Sequence, residues 1–422
     1  MTRALRRRRW PILATVVTLV AGMGYTLLHT LTVPGHLYRD TFWTVPSDLW
    51  GTYRSAHFIG WGAFGSVYSA GTSLVSFPGM LLLLTPVAML TGALGLTESF
   101  PRALPHPTAW LVLGPYEILL SSVALFAADA LAERLGVSPR RRVALCVVET
   151  IVLWNVDVVW GHPEDAVAVG LAIYALVLAL DDRWSGAGWL FGAAVATQPL
   201  VLLMLPVVMA LGGRSRVAGL LFRGAVPSAL VLALPLAASF HTTVHAIVDQ
   251  PNFPHIDHVT PWTTFAPVVG GSGHDLAVAG GPGRVVALVL ALGLGVIATR
   301  WRHDPQRIVW AAGLALALRC FTESVMDPYY LWPVLAVGLV AAAATRAWPR
   351  LLVASVAAVA ITIAGDYWLG GWVAWWTITT AGLVAVLLAG FSRPGGPEGS
   401  SSPVPVSDTT GETPVSLVAS AP

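Results

Sequence analysis

The sequence predicts an all-α fold, a polytopic integral membrane bundle of about twelve crossings, and three observations carry that expectation. Of 422 residues, 55% are hydrophobic and only 11% charged, and the mean hydropathy is +0.70. The apolar residues are gathered into runs of membrane-spanning length, where a bilayer core asks for roughly 20 residues per helix. Short arginine-bearing loops separate those runs. A chain this long would make roughly two or three soluble domains, yet most of it is consumed by helices that satisfy their own backbone polar groups. One membrane domain, residues 11–391, is therefore expected, with a basic segment 1–10 before it. Residues 392–422, rich in Pro, Gly, Ser and Thr and poor in bulky apolar side chains, read as a disordered tail.

All 24 basic residues are arginine, which with the abundance of Ala, Gly and Pro points to GC-rich coding and a bacterial source. Cys146 and Cys320 each lie inside an apolar run, where a thiol behaves as a small hydrophobe, so neither a disulfide framework nor a zinc motif is expected. A net charge of +2, spread over many loops, gives no face for nucleic acid. Arg6 to Arg9 precede an apolar run over residues 11–33. That run exceeds the ~7–15 residues of a signal-peptide core, so it reads as an uncleaved first membrane helix.

Cytoplasmic loops carry an excess of arginine. The clusters at Arg3 to Arg9, Arg134 to Arg142, Arg183, Arg214 and Arg216, Arg300 to Arg307, Arg346 and Arg350, and Arg393 mark that side. The segments between them then face outward: residues 34–74 or beyond, the turn "WGHPED" at 160–165, a break at Thr197-Gln198-Pro199, the long loop 241–283, residues 323–330, and residues 365–372. Both termini fall in the cytoplasm. One run breaks this parity. Residues 79–96 hold Pro86 near their centre, and a proline removes a helix hydrogen bond, so they read as a broken or membrane-dipping segment. Residues 188–197 and 200–211 are each short for a span, and interrupted helices at membrane depth occur where backbone lines a protein cavity.

Acids and histidines gather on the outward segments. Asp40 and Asp48 lie in the first, His162, Glu164 and Asp165 in the second, and the long loop holds His241, His245, Asp249, His255, Asp257, His258, His274 and Asp275. Glu323, Asp327, Tyr329 and Tyr330 follow. Ionisable groups at membrane depth are costly and by default mark function. Plainer readings compete. Glu164 and Asp165 after Pro163 suit a helix N-terminus, where acids complement the dipole. His241 and His245 lack the adjacent Glu of a zinc-protease motif, so no metal site is expected. Arg319 sits outside the basic loops and needs an anion. Glu323, one turn on, supplies one, and a phosphate suits its bidentate fork equally.

Three segments carry a family resemblance. Residues 48–90, "DLWGTYRSAHFIGWGAFGSVYSAGTSLVSFPGMLLLLTPVAML", place an acid, a nearby Tyr, a Gly-x-x-Tyr-like element and a Pro-containing start to an apolar run. Residues 187–206, "AGWLFGAAVATQPLVLLMLP", join a small-residue half-helix to a Pro-bearing half, with Thr197 where relatives often have Lys. Residues 327–337, "DPYYLWPVLAV", resemble a late Pro-Tyr-Tyr helix entrance. Together they resemble the C-type superfamily of polytopic glycosyltransferases (GT-C), and within it the bacterial polyprenyl-phosphate-mannose-dependent mannosyltransferases.

The resemblance implies an inverting transfer of a sugar, mannose above others, from a polyprenyl phosphate to a lipid or glycan acceptor on the outer face of the plasma membrane. It implies no cofactor and no nucleic-acid partner. The first-loop acid would be the general base, a role that fits Asp48 best, with Asp40 the alternative. Arg319 or a long-loop histidine, His255 or His258, would meet the donor phosphate. His162, Glu164, Asp165, Gln198, Tyr329 and Tyr330 are the remaining expected substrate contacts. Outward acids and broken helices also suit a lipid transporter or flippase, although the sequence shows no repeated halves, and an inactive membrane scaffold is a third reading.

Overall fold

The computed structural model describes residues 7–32, 48–69, 74, 77–96, 109–248, 251–252, 259–269, 276–278, 281–367 and 371–392. The chain divides into a unit of residues 1–391 and a second of 392–422. The second, the tail expected to be disordered, lies almost wholly outside the described residues. All the described helices and strands belong to the first.

Helix α1 spans Arg9–Thr32, α2 Asp48–Gly60, α3 Gly79–Ala93, α4 Trp110–Arg134 and α5 Pro139–Trp154, which runs into a π-helical turn Asn155–Trp160. Then come α6 Pro163–Leu180, α7 Trp184–Thr197, a 3₁₀ turn Pro199–Met204, α8 Leu205–Met209, α9 Arg214–Ala238 and α10 Phe240–Val248. After the long outer loop come α11 Pro282–Ala298, α12 Pro305–Thr322, a 3₁₀ turn Pro328–Tyr330, α13 Leu331–Ala344, α14 Trp348–Tyr367 and α15 Trp372–Gly390. Seven of these helical stretches are long and apolar enough to cross a membrane, and three apolar ones are shorter. The helical membrane bundle expected from the sequence is the fold observed. The long loop adds a small antiparallel sheet, in which β3 (Leu276–Val278) pairs with both β1 (Pro251–Asn252) and β2 (Val268–Val269).

Every residue of α13 is buried, because α12, α15, α14, α5, α4 and α6 all pack against it. A helix apolar all round belongs in such a position. It is only 14 residues long, and with protein on every side it has no lipid to match. At the periphery, 6% of the most apolar window of α9 is buried, against 72% for α6. Lipid supplies little hydrophobic drive between helices, so close backbone approach through small residues does the packing. A Cβ on Gly170 of α6 would lie 2.9 Å from the Ala124 backbone nitrogen of α4, and one on Gly192 of α7 would lie 2.5 Å from the Gly224 carbonyl oxygen of α9.

The arginine-bearing loops meet at one end of the helices. Arg7 pairs with Glu133 at 2.6 Å, Arg8 and Arg142 with Asp129 at 2.6 Å, Arg134 with Asp181 at 2.5 Å and Arg216 with Asp182 at 2.5 Å. Arg141 donates to the Ala347 carbonyl at 3.1 Å and Arg350 to that of Phe391 at 2.6 Å. Cys146 and Cys320 are free and buried, as apolar-run thiols should be.

One part of a sequence expectation, the break at Pro86, is corrected. Helix α3 runs unbroken through Pro86. The hydrogen bond that Pro86 cannot give is the one to the Leu82 carbonyl, and the carbonyls on either side of it take side-chain donors, the Thr85 hydroxyl on Leu81 at 2.7 Å and the Tyr116 hydroxyl of α4 on Leu83 at 2.6 Å. The break read at residues 197–199 is real. Gln198 is extended, at φ −148° and ψ 114°, between α7 and the turn Pro199–Met204.

Candidate functional site

The end of the bundle away from the arginine loops holds the buried polar cluster. Its first part comes from the joint between α5 and α6. The wide π turn carries Asp157 inward, and Gly161 comes next in the left-handed region at φ 68°, ψ 47°, a conformation that costs other residues a Cβ clash. His162 then takes the position before the helix, and Pro163 opens α6. Its fixed φ suits that first position, where a missing N–H costs nothing. The acids of the first turn are not solvated caps as a loop reading would have them: Glu164 is 5% exposed and Asp165 fully buried.

His162 does not cap α6 with its side chain. Its Nδ1 lies 2.9 Å from Glu164 Oε1, and its ring stacks on Tyr329 with centroids 3.6 Å apart and planes 21° apart. The Tyr329 hydroxyl donates to Asp327 Oδ2 at 2.9 Å. Asp165 lies within electrostatic reach of Glu164, His162 and Arg319, and the Gln198 side chain approaches it from the break after α7. Asp157 sits beside Ser121 of α4 and within reach of Glu164.

The second part comes from the end of α12. Arg319 Nε donates to Glu323 Oε2 at 3.0 Å, and Arg284, in the first turn of α11, donates to Glu323 Oε1 at 3.2 Å. The Arg319 guanidinium also stands 3.3 Å above the Tyr330 ring. Close packing sets this arrangement, since a Cβ on Gly283 would fall 2.0 Å from the Thr322 carbonyl oxygen. The long loop is stitched over it. Thr260 Oγ1 donates to the Glu323 carbonyl at 2.8 Å, Trp262 Nε1 to that of Phe321 at 2.7 Å and Thr263 Oγ1 to that of Ser324 at 2.6 Å.

Of the residues the sequence singled out, His162, Glu164, Asp165, Gln198, Arg319, Tyr329 and Tyr330 come together here. Asp48 is the first residue of α2. Its neighbour Leu49 belongs to an apolar cluster that also includes Val167 of α6. Asp40, His255 and His258 lie outside the described residues. Two members were missed. Asp157 is a charge inside an apolar run, a signal the sequence did carry. Arg284 gives no such signal, because only packing brings it to Glu323.

The cluster offers two guanidiniums, one imidazole held by a carboxylate, and further buried carboxyl groups. Such a set can hold an anion and move a proton. Residues 107–214 match the family model of the alpha-(1->6)-mannopyranosyltransferase N-terminal domain. Over that segment the chain is similar to a mannosyltransferase. The match bears out the resemblance drawn from the sequence, and it supports mannosyltransferase activity in a membrane-embedded protein. It runs from the approach to α4 to the start of α9, and so includes Asp157, His162, Glu164, Asp165 and Gln198. No curated protein and no solved structure matched the chain.

Proposed function

We propose that the chain transfers mannose, with inversion, from a polyprenyl-phosphate donor to a lipid or glycan acceptor on the non-cytoplasmic face of a bacterial plasma membrane. The observation that carries the proposal is the coincidence of the mannosyltransferase-like segment with the buried cluster at α6. The arginine loops at the opposite end support the choice of face, because positive loops stay in the cytoplasm.

In this reading the acceptor hydroxyl attacks the anomeric carbon while the phosphate departs. Asp48 is the general base, with Asp40 the alternative, and a positioned base is worth about 10²–10⁴-fold. Arg319 and the Arg284 that shares its carboxylate face the growing phosphate charge, fixed donors of the kind that stabilise a departing anion. Gln198, Asp165 and the tyrosine pair line the sugar or acceptor side.

The test is transfer of labelled mannose from a polyprenyl-phosphate donor in reconstituted membranes, comparing wild type with Asp48→Ala and Asp40→Ala. Loss in one of them is expected. Full activity in both removes the base assignment, and transfer that needs no lipid-linked sugar removes the donor.

A further inference from the structure

The imidazole at the entrance of α6 is held on both an edge and a face. Glu164 Oε1 stands 2.9 Å from Nδ1, which makes Nδ1 the nitrogen that keeps its hydrogen and leaves Nε2 to gain or lose one, as a carboxylate orients a catalytic histidine elsewhere. Tyr329 covers the ring face at 3.6 Å, and Tyr329 is itself tied to Asp327 at 2.9 Å. The backbone around it is fixed by left-handed Gly161 and by Pro163. Capping does not explain this investment, because the His162 side chain makes no cap hydrogen bond.

From this geometry we infer that His162 is the general acid of the reaction, giving its Nε2 proton to the departing phosphate, with Glu164 as its positioning residue. The inference rests on the proposed mannosyl transfer. The bond from the acceptor oxygen to the anomeric carbon forms as the bond from that carbon to the phosphate oxygen breaks. The electron pair of the broken bond stays on the phosphate oxygen, which takes the imidazolium proton. The acceptor's hydroxyl proton goes to Asp48. Products are the mannosylated acceptor, the polyprenyl phosphate monoanion, the Asp48 acid and neutral His162. The acid then releases a proton to water and the imidazole takes one up, which restores both groups.

The chemistry suits the two partners. An imidazolium is the usual general acid near neutral pH, and the departing phosphate, which leaves as a dianion, is a base that can take its proton. In a buried site a proton delivered to the leaving group also avoids a second negative charge beside Glu323 and Asp165. Among the described residues, the titratable and charged groups around the ring include Glu164 and Asp165 on α6, Asp157 on the π turn, Tyr329 and Asp327 before α13, and Arg319 at the end of α12. Their charges are what a pH profile reads along with His162 itself.

The experiment measures kcat/KM for mannosyl transfer from a polyprenyl-phosphate donor against pH, in wild type, His162→Gln and Glu164→Gln, and repeats it with a thiophosphate donor, whose leaving group is a weaker base. Wild type is expected to lose activity on the alkaline side, where His162 has no proton to give. His162→Gln should lose about 10²-fold and the alkaline limb with it, and its deficit should shrink several-fold on the thiophosphate donor. Glu164→Gln should lower kcat more than it changes KM and keep the limb. An equal deficit on both donors, or an alkaline limb that survives His162→Gln, overturns the inference by making the residue structural. An acidic limb that vanishes in His162→Gln overturns it by making the residue a base. If His162→Gln does not fold, the solvent isotope effect of wild type decides: a larger effect with the phosphate than with the thiophosphate donor supports proton transfer to the leaving group, and equal effects overturn it. Absence of all transfer by folded wild type would instead remove the proposed reaction.

Discussion

Arg319 Nε donates to Glu323 Oε2 at 3.0 Å across one turn at the end of α12, and the same carboxylate receives Arg284 Nε at 3.2 Å. Glu323 is 3% exposed, so removing it takes a shared carboxylate from Arg319 and Arg284 where little water can replace it. Glu323→Ala is expected to destabilise the protein by about 3–5 kcal/mol, read as a lowered midpoint of thermal unfolding in detergent. Replacing all three members together, Arg284→Met, Arg319→Met and Glu323→Leu, should recover much of that stability, since apolar replacement of a buried ion pair or triad is often neutral or better. If the two arginines also meet the donor phosphate, the triple variant recovers stability and not transfer. Recovery of both would make the triad purely structural.

Gly161 is the hinge on which the His162 turn depends. At φ 68° and ψ 47° an alanine costs about 1–2 kcal/mol, and a β-branched residue more. Gly161→Ala is expected to lower the unfolding midpoint modestly and to reduce kcat more than stability alone accounts for, because the imidazole is then displaced from Glu164. Unchanged kcat in a slightly destabilised variant would separate the turn from the chemistry.

How much of the molecule was legible in the sequence depended on the range of each signal. The turn at residues 160–165 and the break at Gln198 are local events, encoded by Gly, Pro and a charge in adjacent positions, and both are found where read. Arginine placement is a chain-wide rule, and the loops it groups do meet. Arg284 on Glu323, Tyr329 over His162 and Tyr330 under Arg319 join residues from different elements, and no spacing in the sequence encodes such pairs. Pro86 failed as a signal for the opposite reason. An internal proline costs a helix one hydrogen bond, here the one to the Leu82 carbonyl, and need not end it, and the flanking Leu81 and Leu83 carbonyls take the Thr85 and Tyr116 hydroxyls.

The two ends of the bundle should differ in labelling. Cys146 and Cys320 are buried, so the unaltered chain gives a low background for a membrane-impermeant thiol reagent. Arg183 at the arginine end and Thr264 in the stitched loop are both exposed. In intact cells Thr264→Cys is expected to react and Arg183→Cys only after the membrane is opened. The reverse pattern would place the buried cluster on the cytoplasmic face and remove the proposed outer active side.

Helix contacts through small residues predict a contrast between two glycines. A Cβ at Gly192 would meet the Gly224 carbonyl oxygen at 2.5 Å, whereas nothing lies within 4 Å of one at Gly293. Gly192→Ala should therefore push α7 from α9 at a cost of about 1–3 kcal/mol. Gly293→Ala should be neutral or slightly stabilising, since alanine is favoured over glycine in a helix interior by up to about 1 kcal/mol. Thermal unfolding of the two variants side by side checks the difference, and equal midpoints would mean that α9 is not held at its present distance.

Glu149 of α5 poses a different question, because nothing nearby rewards its burial. It is 1% exposed, and neither carboxyl oxygen has a hydrogen-bond partner among the described residues. It lines a small cavity with Leu125, Ala128, Asp129, Arg142, Leu145 and Cys146. Arg142 is already committed to Asp129 by two hydrogen bonds, of 2.7 and 2.6 Å. An unsatisfied buried polar group costs about 1–3 kcal/mol, so an apolar side chain of similar volume should do better there. Glu149→Met is expected to raise the unfolding midpoint and to leave mannosyl transfer unchanged, because the residue shares its cavity with Asp129 and Arg142 of the arginine end. A variant that gains stability and loses transfer would show that the carboxyl is retained for the reaction. One that loses stability would show that the cavity holds a donor for it, such as an ordered water shared with Asp129.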